Sequence, residues 1–182
     1  MAVRSQGKVV RQILASTSNG AGETMPTSQT LNDQIWEALG TIQDPELPVT
    51  VIDLGLIDAV TVDSGRVHVT MIPTFSACPA IDVMRQDIKK TLLKLAGVHT
   101  VEVALSFAEP WTMARMTERG RQRLIHHGIS VPLRHAGTPV TCPFCGSTNT
   151  VLESLFGTTL CRSIHYCRDC RNPIERFKPP SE

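Results

Sequence analysis

Two Cys-x-x-Cys pairs near the C-terminus are the strongest chemical signal in the sequence. Cys142 and Cys145 form the first pair, and Cys167 and Cys170 form the second pair, separated from the first by 21 residues. Four thiolates from two such knuckles are the usual ligand set of a structural zinc site. The spacing therefore predicts a zinc-binding module over residues 142–178, with an iron–sulfur cluster on the same four thiolates as the alternative.

A fifth thiol, Cys161, lies between the two knuckles. It follows Phe156-Gly157-Thr158-Thr159-Leu160, a turn-rich connection between predicted strands. Free cysteines are among the most buried residue types, so a small buried residue is the favoured interpretation. The alternative is an additional thiol that takes part in metal or cluster transfer. His165 would be a metal ligand only if one of the four knuckle cysteines were not.

The sixth cysteine, Cys78, lies in a different setting, within Pro73-Thr74-Phe75-Ser76-Ala77-Cys78-Pro79. This stretch joins a β-like run at 67–72 to a helix-like run at 80–95. Proline suits the first helical position, so Cys78 is predicted at or beside the helix N-cap. Free N–H groups and the helix dipole would favour its thiolate there. A buried residue that closes the strand–helix corner is the alternative.

Carboxylates form a second group of candidate residues. In Asp44-Pro45-Glu46-Leu47-Pro48 two prolines end the preceding helix and force an extended turn, which displays Asp44 and Glu46 on a rigid loop. Solvated turn carboxylates are the alternative interpretation. Asp53 lies within an apolar run and is costly to bury without hydrogen bonds. We expect it to accept hydrogen bonds from backbone N–H groups near Gly55.

Composition limits the classes of function. The 182 residues, 41% hydrophobic and 4% aromatic, predict one or two small domains with a mainly aliphatic core. A net charge of +1 supports neither a nucleic-acid partner nor an anionic membrane. No apolar run approaches the roughly 20 residues of a spanning helix, and no apolar h-region follows the N-terminal basic residues. We therefore expect a cytoplasmic protein whose paired cysteines bind metal rather than form disulfides.

Hydrophobic periodicity predicts an α/β (α+β) domain followed by a small β-rich zinc-ribbon domain. Helices are predicted at 29–43, 80–95 and 117–127, and strand-like runs within 49–62, 67–72 and 98–105. The predicted organisation in chain order is a disordered N-terminal segment at 1–28, the α/β domain at 29–133, a linker at 134–141 and the metal module at 142–178.

The sequence leaves open the role of the arginines on the last predicted helix of the first domain and the exposure of the Trp before that helix. Arg115, Arg119, Arg121 and Arg123 cluster on or beside that helix. They form a basic face that is usually only solvated, with docking of an acidic partner as the alternative. Trp111, after a proline, is either a plug in the core or an exposed anchor.

Three motifs resemble the MIP18 (DUF59) family of iron–sulfur assembly factors. They are Asp44-Pro45-Glu46, Asp53-Leu54-Gly55-Leu56-Ile57, and Pro73-Thr74 with Cys78-Pro79. The resemblance implies a small α/β fold and a role in maturing iron–sulfur proteins. It also implies that the reactive cysteine of the family falls on Cys78, its acidic loop on Asp44 and Glu46, and its threonine on Thr74.

The segments Pro110-Trp111-Thr112 and Phe156-Gly157-Thr158-Thr159-Leu160-Cys161 narrow the resemblance. They are similar to members of this family that are encoded with a bacterial phenylacetyl-CoA epoxidase. The implied role is a non-catalytic accessory factor of phenylacetate catabolism. Its implied partners are the oxygenase and reductase subunits and iron–sulfur assembly proteins, and its implied cargo is a transient iron–sulfur cluster or iron. The sequence leaves the oligomeric state open, a homodimer included.

Three other functions compete with this interpretation. A structural or electron-transfer subunit would use a redox-active metal centre on the C-terminal cysteines. A thiol enzyme with Cys78 as nucleophile would need a nearby base, and nothing in the sequence places His68 or His99 beside it. A nucleic-acid-binding ribbon is disfavoured because acidic residues offset its basic ones.

Overall fold

A computed structural model describes residues 30–132 and 139–178 of the chain. The predicted disordered segment 1–28 and most of the predicted linker 134–141 lie outside these ranges. The helices are α1 (Leu31–Leu39), α2 (Ala80–Leu92) and α3 (Glu118–His126), with a short 3-10 helix at Met113–Arg115. The strands are β1 (Ile57–Asp63), β2 (Arg66–Met71), β3 (Thr100–Leu105), β4 (Ile129–Ser130), β5 (Thr150–Ser154), β6 (Arg162–Cys167) and β7 (Pro173–Phe177). Within the described ranges, every helix is too short or too polar to cross a bilayer.

The first sheet has the strand order β1-β2-β3. β1 and β2 form an antiparallel hairpin, in which Ser64 and Gly65 adopt positive φ values of 48° and 79°. β2 and β3 are parallel, and α2 makes the crossover between them. The carboxyl end of β2 therefore leads directly into the Pro73–Pro79 loop, which carries Cys78 to the start of α2.

α2 packs against this sheet through one apolar face. Ile81, Met84, Ile88 and Leu92 recur at helical spacing, and all four are buried. Burial of each side chain is worth about 1.5–3 kcal/mol, which anchors the helix that follows Cys78. The helix ends at Leu92, before the predicted end at Leu95, and the chain then turns toward Gly97.

Residues 49–56 form turns rather than the first part of a strand. Thr50 makes an isolated bridge with Gln43, and a series of turns runs through Gly55 at φ 69°. A Cβ at Gly55 would lie 2.2 Å from the carbonyl oxygen of Arg115, so the close approach of that segment requires glycine here. The regular strand begins only at Ile57.

Asp53 holds the start of α3 against the turns at residues 49–56. Its carboxylate accepts hydrogen bonds of 3.0 Å from Arg119 and 2.7 Å from Thr117, and the residue is 1% exposed. The predicted bonds to backbone N–H groups near Gly55 are therefore wrong, although the side chain does accept hydrogen bonds as its burial requires. Gly120 lets α3 approach, since a Cβ there would lie 2.6 Å from the Asp53 carbonyl oxygen.

Three of the four arginines in the predicted basic face make specific contacts. Arg115 donates to the carbonyl oxygens of Gly55 and Ile57 and forms an ion pair with Asp58. Arg119 forms an ion pair with Asp53. Arg121 donates to the carbonyl oxygens of Pro132 and Met113. The interpretation as a merely solvated face is wrong for these three. These three arginines, which look like a charged surface cluster in the sequence, hold α3 and the segment before it against the rest of the first domain.

The second sheet has the order β4-β7-β6-β5 and carries the C-terminal cysteines. β4, which lies inside the predicted first domain, pairs in parallel with β7 of the ribbon. Trp111 is a core plug at 1% exposed, and its indole N–H donates to the Leu54 carbonyl oxygen at 2.9 Å. Its ring contacts buried Phe177 of β7, with centroids 5.5 Å apart. One apolar core therefore continues from the α/β domain into the ribbon.

Candidate functional site

The four knuckle cysteines converge at one point of the ribbon. Their sulfur atoms all lie within 4.8 Å of one another. The Cys142–Cys170 and Cys145–Cys167 sulfur pairs are each 3.6 Å apart. A tetrahedral zinc ion with Zn–S bonds of about 2.3 Å needs sulfur–sulfur edges of about 3.8 Å. The ligand type, number and spacing therefore fit a closed structural metal site, whose bound ion would cross-link the two knuckles.

Short polar contacts hold the two knuckles together around these thiols. The Asp169 carboxylate accepts hydrogen bonds from Ser147 at 2.5 Å and Asn149 at 2.7 Å, and these bonds lower the pKa of Asp169. His165 contacts the Ser163 hydroxyl at 3.2 Å and is not one of the four clustered residues. The four cysteines thus complete the ligand set without a histidine.

The thiols of this cluster compete with one another for protons. The backbone N–H of Asn172 does most to lower the pKa of Cys170, to about 6. The N–H of Ser147 lowers the pKa of Cys145, but partial desolvation and hydrogen bonds with the other three thiols together raise it to about 12. A cation removes this competition because all four sulfurs can then be thiolates, so metal binding releases protons.

Cys78 lies immediately before the N-cap of α2, which is Pro79. The predicted position beside the cap is therefore confirmed, with helical residues starting at Ala80. The predicted lowering of its pKa is wrong. Burial raises the pKa of Cys78 more than the hydrogen bond from the Ala80 N–H lowers it, and the carboxylates of Glu46 and Asp44 raise it further. A metal cation in place of the proton would relieve both effects.

The acidic loop faces Cys78. The Glu46 carboxylate oxygen Oε2 lies 4.0 Å from the Cys78 sulfur. Asp44 uses its Oδ1 to accept hydrogen bonds from the backbone N–H groups of Glu46 and Leu47, at 2.7 and 2.9 Å. Burial is the largest influence on the Asp44 carboxyl and raises its pKa. Asp44 therefore shapes the loop, while the Glu46 side chain is the carboxylate that reaches the sulfur.

These residues line one small pocket between the acidic loop, the Pro73–Pro79 loop and α2. We call it the Cys78 pocket, and its polar or sulfur-bearing lining residues are Asp44, Glu46, Thr74, Met71, Cys78, Met84 and Cys161. Its apolar lining comes from Leu47, Leu56, Pro73 and Ile81. The structure thus brings together all four residues that the sequence proposes for transfer, from two separate chain segments.

Cys161 also lies in the Cys78 pocket, although it belongs to the ribbon. It is buried, as the favoured interpretation predicts, but it lies against the core of the first domain. Arg162, which sequence reasoning missed, donates to the Glu46 carbonyl oxygen at 3.1 Å and pairs with Glu175 of β7. No sequence signal links residues 46 and 162, since they are 116 positions apart.

Comparison with known proteins assigns both parts of the chain. Residues 32–103 match the family described as iron-sulfur cluster assembly protein, and residues 128–178 match the PaaD zinc beta ribbon domain. A similar protein is a putative 1,2-phenylacetyl-CoA epoxidase subunit of Escherichia coli strain K12. It is 38% identical over 151 residues, which cover 80% of this chain and 91% of the relative. The chain belongs to the PaaD-like family.

The first domain of this PaaD-like chain has further relatives of its own. An Fe-S protein maturation auxiliary factor of Bacillus subtilis is 36% identical over 90 residues, covering 49% of this chain and 88% of the relative. A crystal structure of a DUF59 domain from Bacillus anthracis superposes with a TM-score of 0.50 at 30% identity, covering 52% of this chain and 91% of that one. The predicted α/β fold followed by a β-rich ribbon is therefore confirmed.

The two thiol sites of the PaaD-like chain differ in what they can do chemically. The ribbon site is closed by four ligands, which suits structure rather than exchange. The Cys78 pocket offers an incomplete donor set beside the long side chain of Glu46, and so suits reversible binding of a thiophilic cation. Within residues 30–132 and 139–178, no histidine lines this pocket to serve as a base for Cys78.

Proposed function

We propose that this PaaD-like chain is a non-catalytic accessory factor for a phenylacetyl-CoA epoxidase in phenylacetate catabolism. It assists iron–sulfur cluster or metal maturation of the complex in the cytoplasm, and Cys78 is the transient ligand of the metal or cluster. Glu46 and Thr74 line the site and Asp44 shapes it. The observation that carries this proposal is the Cys78 sulfur, half-buried, 4.0 Å from the Glu46 carboxylate, in a pocket that no histidine of the described residues lines.

The names of the relatives support the two halves of the proposal. The Bacillus subtilis relative of the first domain is called a maturation auxiliary factor, and other relatives are called iron-sulfur cluster carrier proteins. The Escherichia coli relative, which also shares the ribbon, is called an epoxidase subunit. The oxygenase and reductase subunits are therefore the proposed clients, and iron–sulfur assembly proteins the proposed donors. The ribbon cysteines hold a structural zinc ion in this proposal.

Co-expression with the epoxidase subunits tests the role of Cys78. Cys78→Ser is compared with Ser76→Ala, a matched change at an exposed position in the same loop. We expect Cys78→Ser to lower the iron and labile sulfide content of the purified complex together with its epoxidase activity, and Ser76→Ala to leave both at the wild-type level. Normal metal content and activity with Cys78→Ser would sink the proposal.

The word "subunit" in the name of the Escherichia coli relative favours a second candidate, a structural or electron-transfer subunit. That function requires a redox-active centre on Cys142, Cys145, Cys167 and Cys170. Anaerobic purification followed by metal analysis separates the candidates. We expect a colourless protein with about one zinc per chain, as four thiolate ligands imply. A coloured protein with iron and sulfide on the ribbon would favour electron transfer instead.

A further inference from the structure

The Cys78 pocket contains a second thiol, and that thiol comes from the other domain. Cys161 and Cys78 lie 83 positions apart in the sequence, yet both line the same pocket together with Glu46. Cys161 is 7% exposed and packs against the core of the α/β domain. It lies outside the cluster of four sulfurs that forms the ribbon metal site. Its place in the fold therefore links it to Cys78 rather than to the knuckles.

Contacts on both sides keep Cys161 at this position. Its carbonyl oxygen accepts a 2.8 Å hydrogen bond from the Lys178 N–H, and its sulfur lies 3.2 Å from the Thr159 hydroxyl. The neighbouring Arg162 binds the Glu46 carbonyl oxygen at 3.1 Å. The ribbon thus fastens the residue next to Cys161 to the very loop whose carboxylate reaches the Cys78 sulfur.

The donor atoms in this pocket determine which metal ions it can bind. Two thiols and a carboxylate bind iron and other first-row divalent ions better than magnesium or calcium. The volume of the pocket that is open to the centre of a water-sized sphere is about 10 Å³. That is close to the smallest volume that holds a single water molecule, so the space suits one ion. The two thiols and the Glu46 carboxylate are less closely spaced than the ribbon sulfurs, so the walls must draw together for all three to bind it. A cluster of several iron and sulfide ions would need the pocket to open.

We infer that Cys161 is a second thiol ligand, beside Cys78, for a divalent iron ion carried in this pocket. The inference rests on the proposed function and deepens it, because the transfer site then belongs to both domains. On binding, each of the two thiols gives its proton to solvent as its sulfur bonds to the ion, which sheds water ligands. The oxidation states of iron and sulfur are unchanged, so the step needs no oxidant.

A dependence of one metal site on the other follows. The position of Cys161 depends on β6 and β7, and the knuckle that contains Cys167 directly continues β6. A metal ion at the ribbon site therefore helps to position Cys161 in the iron site, although it does not contact that site. Loss of the ribbon metal would cost iron binding at the pocket even with Cys78 intact.

Anaerobic equilibrium dialysis of the zinc-loaded full-length chain against Fe²⁺ tests the inference. The proteins are wild type, Cys78→Ser, Cys161→Ser and the control Ser76→Ala, each with its zinc content measured to show that the ribbon remains folded. Loss of residues that only orient metal ligands costs 10–100-fold in affinity, so we expect loss of either thiol to weaken Fe²⁺ binding at least about tenfold. Zinc content and the affinity of Ser76→Ala should match the wild type.

The outcomes separate this inference from the proposed function. Weak binding by Cys78→Ser with wild-type binding by Cys161→Ser would overturn the second ligand and leave Cys78 as the carrier. Wild-type binding by Cys78→Ser would overturn the proposed function as well. Wild-type protein that binds no Fe²⁺ would overturn the iron cargo, while the co-expression experiment would still decide the role of Cys78.

Phenylarsine oxide gives a second measurement that needs no substitution at a buried position. This trivalent arsenical bonds to two neighbouring thiols at once and releases one water molecule. We expect the zinc-loaded wild type to take up one arsenical bridged between Cys78 and Cys161, detected in the intact mass and in the joined peptides, with zinc retained. Addition to Cys78 alone would show that the two sulfurs cannot share one ligand.

Discussion

The two sulfur sites of the molecule contrast in how their ligands are gathered. The ribbon site takes four cysteines from two short knuckles, and the sulfurs already lie within 4.8 Å of one another. The Cys78 pocket takes its donors from the acidic loop, the loop before α2 and the ribbon. Among the residues that the structure describes, the ribbon set is the one cluster of three or more potential ligands so closely spaced. In the proposed function, the first site keeps its ion and the second releases it.

The contrast teaches that the same residue type lies in two different environments, one that suits a stable metal site and one that suits the exchange we propose. At the knuckles, the backbone N–H of Ser147 bonds to Cys145, that of Asn172 bonds to Cys170, and each sulfur lies beside three other thiols. At the pocket, Cys78 has one backbone N–H, from Ala80, and a carboxylate that raises its pKa. Four substitutions, in order of decreasing effect, test whether the two sites separate in this way.

Removal of a ribbon ligand should have the largest effect on stability. Four thiolates contribute on the order of 10 kcal/mol to the folding of a zinc module, so Cys142→Ser should abolish zinc retention and unfold the ribbon. The matched Cys78→Ser should keep its zinc and change the free energy of unfolding by less than about 1 kcal/mol. Zinc analysis and urea unfolding measure both. A Cys78→Ser variant that loses zinc would remove the distinction between the sites.

Phe177→Ala should separate the two domains while leaving the ribbon metal in place. Phe177 is fully buried against Trp111, and loss of a buried Phe side chain costs about 3–5 kcal/mol. We expect a lower unfolding midpoint, altered Trp fluorescence and faster alkylation of Cys161, with zinc still bound. Phe156→Ala, at an exposed ribbon position, is the matched control. Unchanged reactivity of Cys161 would show that the domains hold together without this contact.

Asp53→Asn should destabilise the first domain by about 2 kcal/mol, since it weakens hydrogen bonds from a charged partner. Burial raises the pKa of Asp53, but Arg119 and Thr117 outweigh it and hold the pKa below its ordinary 3.8. The wild-type contribution is therefore present above that value and is lost as the pH falls through the lower folded value. The variant should show a shallower loss of stability in acid. Asp87→Asn, an exposed change, should keep the wild-type slope.

Glu46→Gln should have the smallest effect on stability and a clear effect on Cys78 reactivity. Burial is the main cause of the raised pKa of Cys78, and the Glu46 charge adds to it. Removal of the Glu46 charge should lower the pKa of Cys78. More thiolate is then present at neutral pH, so alkylation by iodoacetamide is faster. Peptide mass spectrometry follows Cys78 alone, with Glu109→Gln as the remote control. Slower or equal alkylation in Glu46→Gln would contradict the contact.

Much of the fold could be predicted because it is encoded locally. The apolar spacing of α2 and the two cysteine knuckles each lie within a short stretch of chain. The lowered pKa predicted for Cys78 was wrong because a helix start was considered without the burial and the carboxylates that the fold adds. The partner of Asp53 was wrong for a similar reason, since Arg119 lies 66 positions away.

The amino-acid sequence by itself identified the four ribbon cysteines as one group, the order of the elements, and Cys78 as a thiol at the start of a helix. Only the tertiary structure decided that Cys161 shares a pocket with Cys78 and that Arg162 joins the ribbon to the acidic loop. The physical reason is the distance along the chain between the residues that make contact. Knuckles and helices depend on contacts between near neighbours in the chain, whereas the pocket exists only where one apolar core, running from Trp111 to Phe177, brings two domains together.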